Sequence, residues 1–300
     1  MLAPKKSAAI LRSRLDELYV IWRILKTSPI NLVGLLISAG FVIVSIFVFI
    51  TNATLLPYNP YLINANQILL PPSLSHIFGT DSLGRDVLSR VLAAAPIDAE
   101  VAFSVILIAV TLGTITGAIA GFVGGIVEEI VMRVTDIFLA FPPIVLALAI
   151  AASLGPGTQN SIFALAPAWW PTYTRLARGE ALSLKSQDFI RASRSVGQRG
   201  RHIILHHIIP NIIPVIIVYA TIDLGSVIIV FSVLSYIGLG AQPPTPEWGL
   251  MSSQNEQFLT SAPWTPLIPA LAILLVAAGF SLMGDGLRDA LDPRNRGLFG

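Results

Sequence analysis

The chain contains no cysteine. Disulfides, thiol catalysis and cysteine-based metal or redox centres are therefore excluded. Charge is scarce as well. Asp, Glu, Lys and Arg make up 12% of the 300 residues, about half the share found in a typical soluble domain. The net charge of +2 is too small to mark a nucleic-acid-binding chain, so no nucleic-acid partner is expected. Internal repeats and low-complexity tracts are missing too. These shortages, with 54% hydrophobic residues, leave one class: an integral membrane protein whose partner is the lipid bilayer.

What the chain has is long apolar runs. About 20 apolar residues at 1.5 Å rise span the roughly 30 Å hydrocarbon core. By that measure six spans are expected: Asn31–Ile50, Ala99–Gly121, Arg133–Leu154, Gln159–Ala177, Asn211–Gly238 and Leu267–Met283. The third is expected to kink at Pro142-Pro143, and the fourth and fifth also hold prolines. In lipid a broken helix is tolerated only where neighbouring helices or a water-filled cavity satisfy its backbone. Gly113, Gly117 and Gly121 recur every fourth residue, a spacing that permits close helix packing. Together these features suit a multi-helix transporter.

Between the runs lie polar segments. Residues 1–29 carry six basic residues with apolar ones at helical spacing, which predicts an amphipathic helix on the membrane surface. Residues 30–50 form the first span, and 51–98 a long loop in which Asp81 or Ser82 is expected to cap a short helix over Val87–Ala94. A five-helix core follows over 99–285, then a tail over 286–300. Placing the N-terminus inside puts seventeen of the nineteen Lys and Arg residues on the cytoplasmic side and leaves only Arg85 and Arg90 outside. That asymmetry predicts a multi-pass protein with both termini cytoplasmic.

The polar stretch from Glu180 to Asn211, within a cytoplasmic loop spanning 178–210, organises the rest. It is basic, helix-prone and flanked by apolar runs. A short helix, a turn at Gly197 and a second helix returning to the membrane are expected, with the first helix presented to a soluble partner. Gly179–Ser186 approaches a phosphate loop, but Leu184 stands where the second glycine is needed. His202, His206 and His207 lack the glutamate and third ligand of a zinc site, so no metal is assigned. Asp136 follows Arg133 by three positions and is expected to pair with it. Asp223 lies inside an apolar run, where a carboxylate marks either a translocation path or a helix–helix hydrogen bond. No catalytic constellation is evident.

Seven pieces then occur in order: GTDSLGRDVLSR (79–90), AGFVGG (120–125), MRVTDIFLAFP (132–142), RGEALSLKSQDFIRASRSVG (178–197), HIIPN (207–211), YIGLGAQPPTPEWG (236–249) and GDGLRDALDPR (284–294). In these the chain resembles the inner-membrane permease subunits of dipeptide/oligopeptide-type ABC importers, specifically the DppC/OppC-like subunit. The resemblance implies an all-α polytopic fold of about six transmembrane helices with a cytoplasmic coupling helix. It also implies a role in the cell's inner (cytoplasmic) membrane as half of a pore. The implied partners are a second homologous permease subunit, two ATPase subunits that bind ATP and Mg, and an extracytoplasmic solute-binding protein. The chain itself would hold no cofactor and perform no catalysis. The implied coupling residues are Gln187, Asp188, Phe189, Arg191, Ala192, Ser193, Arg194 and Gly197, with Asp223 a candidate for the path. The family pattern E-A-A-x-x-x-G falls on Arg191, Ala192, Ser193 and Gly197, so Arg191 and Ser193 depart from it. Ala93–Phe103 also departs from the family's usual basic, Ser-containing pattern. Oligosaccharides and metal chelates are alternative substrates within the family. An ion-coupled secondary transporter using Asp223 is the alternative from another class.

Overall fold

The computed structural model describes residues 28–291. The amphipathic helix expected within 1–29 and the end of the tail lie outside the described residues. Nine α-helices carry the described chain. They are α1 (Pro29–Thr51), α2 (Val87–Val123), α3 (Gly125–Leu139), α4 (Pro143–Leu154) and α5 (Thr158–Lys185), then α6 (Asp188–Ser195), α7 (Gly200–Tyr236), α8 (Trp248–Gln254) and α9 (Trp264–Leu291). No strand is present among the described residues.

Four of these helices, α1, α2, α7 and α9, are long and apolar enough to cross a membrane. The pair α3 and α4 adds a fifth crossing if its two arms count as one span, bent by 84°. The expected count of six is therefore not reached. The difference is α5, which covers the predicted fourth span and runs beside the spanning helix α2 at Gly113, Gly117 and Gly121, but falls short by composition because it carries Gln159, Asn160, Arg175 and Arg178 along its length. Its apolar residues are instead buried against neighbours: Ile162, Leu165, Trp169 and Tyr173 are all covered.

The bend falls at the expected Pro142-Pro143 pair. Pro142 has no N–H to extend α3, and the residue before Pro143 is driven to an extended conformation with ψ 133°. At Pro210 the outcome differs. The helix continues through it, because the preceding turn, Ile204–Ile208, widens to π geometry. A wide turn accommodates both the missing donor and the ring that would strike the carbonyl of His206.

Packing centres on α2, which touches α5, α7 and α1, while α9 bridges α1 and α7. Glycines set the closest approaches. A Cβ on Gly117 would lie 2.2 Å from the Thr174 carbonyl oxygen; on Gly113, 2.5 Å from the Tyr173 Cβ; on Gly121, 2.6 Å from the Arg178 carbonyl oxygen. The four-residue repeat thus lets α5 lie backbone-to-backbone on α2. By contrast α3 buries only Thr135, and α4 only Ala147 and Ala151. This bent pair hangs on the bundle's flank with most of its apolar surface open.

One end of the bundle is closed by a cap, residues 52–86. The expected capping role of Asp81 or Ser82 is corrected: Asp86 caps α2, accepting from the Ser89 N–H at 2.8 Å. Asp81 is already committed, since it accepts from the N–H groups of Leu83 and Arg85 and from the Arg85 guanidinium. Asp86 also bonds His76 at 2.9 Å, and Arg90 donates to the Pro60 carbonyl at 2.8 Å. The two arginines expected outside are therefore buried, Arg85 at 5% and Arg90 at 1% exposure. Because the cap rests on it, α2 starts twelve residues before the predicted span. Trp248 and Trp264 are not free interfacial residues: their indole N–H groups donate to the carbonyls of Val91 and Thr80.

Candidate functional site

At the opposite end α5 stops at Lys185, and two residues later the chain turns into α6. Gln187 is the N-cap residue, in extended conformation, and Asp188 opens the first turn. Acid at the start and Arg194 in the last turn both complement the helix dipole. The far end closes as a Schellman motif. The Gly197 N–H donates to the Arg194 carbonyl at 2.9 Å, and the Gln198 N–H to the Ser193 carbonyl at 3.2 Å. Gly197 takes φ +78°, the left-handed conformation this motif needs, with open space around its α-carbon. Gly197 thus ends the helix that begins near Gln187.

A single side chain anchors α6. Ile190 is fully buried and belongs to the apolar core that runs through the bundle. Arg194 lies over the Phe122 ring at 4.6 Å. Phe189 meets His207 edge-on at 6.3 Å, and His207 bonds Gln198 at 3.3 Å. Gln187, Asp188, Phe189, Arg191, Ala192, Arg194 and Gly197 remain exposed, and Ser193 half-buried. Val196 adds an apolar side chain 75% open. The product is a short, rigid, mostly exposed helix, basic and apolar by turns, pinned at its base to two long helices.

Two ion pairs tie α3 to α5 just above. Arg175 donates to Asp136 at 2.7 Å, and Arg178 pairs with Glu128. The expected Arg133–Asp136 pair is corrected: Arg133 sits 3.8 Å from Glu129 on its own helix, while Asp136 faces α5. Gly179–Ser186 is helical up to Lys185, whereas a phosphate loop needs glycine-rich non-helical backbone. His202 and His206 stack at 4.1 Å on the first turns of α7.

Asp223 lies well away from α6. It accepts a hydrogen bond from Tyr173 at 2.8 Å, joining α7 to the middle of α5. The sequence reading missed Ile190, Phe122 and Gln198 as the supports of α6. The alternation of Ile190 with charged neighbours was the only available signal, and Phe122 gave none.

Comparison with known proteins settles the family. Residues 113–297 match the binding-protein-dependent transport system inner membrane component family. The chain belongs to this family. Among its relatives is the dipeptide transport system permease protein DppC of Alkalihalophilus pseudofirmus, 43% identical over 271 residues, covering 90% of this chain and 88% of the relative. Another is the glutathione transport system permease protein GsiD of Escherichia coli, 44% identical over 261 residues, covering 87% and 86%. The probable D,D-dipeptide transport system permease protein DdpC of Escherichia coli is 38% identical over 286 residues, covering 95% and 94%. An inward-facing structure of the MetNI methionine ABC transporter shares the fold at TM-score 0.56 and 17% identity, covering 67% of this chain and 96% of that one. In this permease family the matched region runs from the glycine repeat of α2 through α6 and beyond α9, so α6 lies inside it.

Proposed function

We propose that this chain is a membrane-spanning subunit of an ATP-driven importer for peptides or related small solutes. It lies in the inner membrane with both termini cytoplasmic and forms half of the pore with a second, homologous permease subunit. Two ATPase subunits bind ATP and Mg and dock on α6 of each permease. A solute-binding protein delivers substrate at the cap end. Peptides are the preferred class because DppC, GsiD and DdpC are named for dipeptides and glutathione.

The observation that carries this reading is the construction of α6. It is exposed on its outer face, closed at its C-terminal end by the Gly197 turn, and held to the foot of α2 by Arg194 over Phe122 and to α7 by Phe189 against His207. A push on α6 therefore reaches α2 directly. Because α5 is interlocked with α2 through Gly113, Gly117 and Gly121, the two move as one body. The ion pairs Arg175–Asp136 and Arg178–Glu128 then draw the bent pair α3–α4 along with α5. Asp223, half-buried beside a fully buried Tyr173, is assigned to the side facing the path.

The test is reconstitution of the full complex in liposomes with labelled dipeptide delivered by the binding protein. ATP-dependent uptake is expected, unaffected by collapsing ion gradients. Uptake driven by an ion gradient in the absence of ATP would overturn the proposal in favour of a secondary transporter.

A further inference from the structure

Two acidic side chains meet inside the cap end of the bundle, far from α6. Asp98, on α2, and Glu247, at the start of α8, are both fully buried and act directly on one another. Glu247 is fully engaged as an acceptor. One carboxyl oxygen accepts the Gly249 N–H at 2.9 Å and the other accepts the Leu250 N–H at 2.6 Å. Ser235 of α7 also reaches it. The Trp248 backbone N–H is aimed at Asp98 from the start of α8, but neither Asp98 oxygen has a hydrogen-bond partner of good geometry.

No cation relieves this pair among the described residues. On α2, Arg90 lies two turns earlier and is committed to Pro60 and Asp81, while Glu100 is exposed and bonded by Gln159. The faces contributed by α1 and α9 are the Phe41 ring and the Pro266 carbonyl, which meet Trp248 and Ser252. Two ionised carboxylates in contact, dry and without a counter-ion, repel strongly. Since Glu247 already accepts two N–H bonds, a hydrogen on Asp98 is what turns two acceptors into a donor and an acceptor.

The location gives this contact leverage. α8 is wedged at the centre of the cap end. A Cβ on Gly249 would lie 2.0 Å from the Ser232 carbonyl of α7, the Trp248 indole donates to Val91 of α2, and Ser252 donates to Pro266 of α9. We propose that Asp98 and Glu247 hold one proton between them and that this proton latches α8 to α2. Its loss in alkaline medium loosens the cap end of the bundle. Burial raises the Glu247 carboxyl above its ordinary value, against the pull of its two N–H bonds. A carboxyl raised on folding binds more protons when folded than unfolded, so stability falls as pH climbs from the ordinary carboxylate range to the raised value.

The inference is independent of the transport reading, because its test uses the chain alone in lipid nanodiscs. Infrared spectra are recorded from neutral to strongly alkaline pH. A protonated-carboxyl carbonyl band is expected at neutral pH, retained when Asp223 is replaced by Asn, lost on titration, and reduced in Asp98→Asn by the share that Asp223→Asn leaves. The native chain has no cysteine, so Ser252→Cys, buried in α8, reports opening when labelled with maleimide. Its rate is taken relative to exposed Ser75→Cys, which cancels thiol ionisation. That ratio is expected to rise by up to about tenfold per pH unit until the buried pair itself gives up the proton and then to level off, and to stay flat when Asp98→Asn is added. If neutral wild-type protein shows no carboxyl band, the latch does not exist. A flat ratio without the Asn substitution, or an equal rise with it, overturns it as well. Should Asp98→Asn fail to fold, the wild-type titration alone still decides.

Discussion

Replacing Gly117 by alanine tests whether α2 and α5 are one mechanical body. The added methyl would sit 2.2 Å from the Thr174 carbonyl oxygen and 2.8 Å from the Ala177 Cβ. Ordinary contact begins near 3.4 Å, so the first shortfall is about 1.2 Å. The atom in the way belongs to helical backbone, which cannot rotate aside as a side chain could. Overpacking of this kind costs about 1–3 kcal/mol, and a backbone obstacle puts Gly117 at the upper end. Glycine-to-alanine in a helix also gains up to about 1 kcal/mol of backbone preference. Gly40 of α1 supplies that reference, since nothing lies within 4 Å of a Cβ there. The backbone gain is common to both variants, so their difference isolates the clash. Gly117→Ala is expected to be about 2–3 kcal/mol less stable than Gly40→Ala. The assay is equilibrium unfolding of the purified chain in mixed micelles, followed by tryptophan fluorescence. Stabilities agreeing within about 0.5 kcal/mol, the spread of ordinary surface changes, would refute the interlocked interface.

Four further outcomes are expected. Gly197→Val places a β-branched residue at φ +78° and should cost on the order of 1–2 kcal/mol. In the full complex it should impair uptake while membrane insertion stays normal, which surface labelling and transport assays check together. Ile190→Ala removes the only buried side chain of α6 and should lower local stability by about 2–4 kcal/mol, seen as faster amide exchange confined to 187–198. Orientation is read by thiol labelling of sealed cells: Ser75→Cys in the cap should label from outside and Arg288→Cys in α9 should not. The exposed Ser75 replaces Arg85 and Arg90 as the reporter because both arginines are buried. The purified chain alone should hydrolyse no ATP, and hydrolysis lost on Lys185→Ala would contradict that.

The long apolar helices and the short polar helix α6 were legible in the sequence because each is a local pattern. Apolar length marks α1, α2, α7 and α9, and a basic, glycine-closed segment between two runs marks α6. What escaped depends on contacts between distant elements. Asp136 had a partner available three residues away, yet it pairs with Arg175 because α3 leans on α5. Asp81 and Asp86 were equally good caps by residue type, and the prior commitment of Asp81 to Arg85 decides between them. α5 matches the expected fourth span in length but not in overall composition, because its apolar face is buried inside the bundle and its remaining positions are polar. The Asp98–Glu247 contact joins two segments with no local signal connecting them.

Docking of an ATPase on α6 is the claim on which the functional account stands. Ala192, exposed on the outer face of α6, can be made the only cysteine in the chain. The Ala192→Cys variant is co-expressed with the ATPase and permease subunits of its own complex and treated with a short bifunctional thiol reagent. A cross-link from position 192 to the ATPase is expected, changing in yield when ATP is added. Intact ATP-dependent uptake with no cross-link at 192 or at its exposed neighbours would contradict the account.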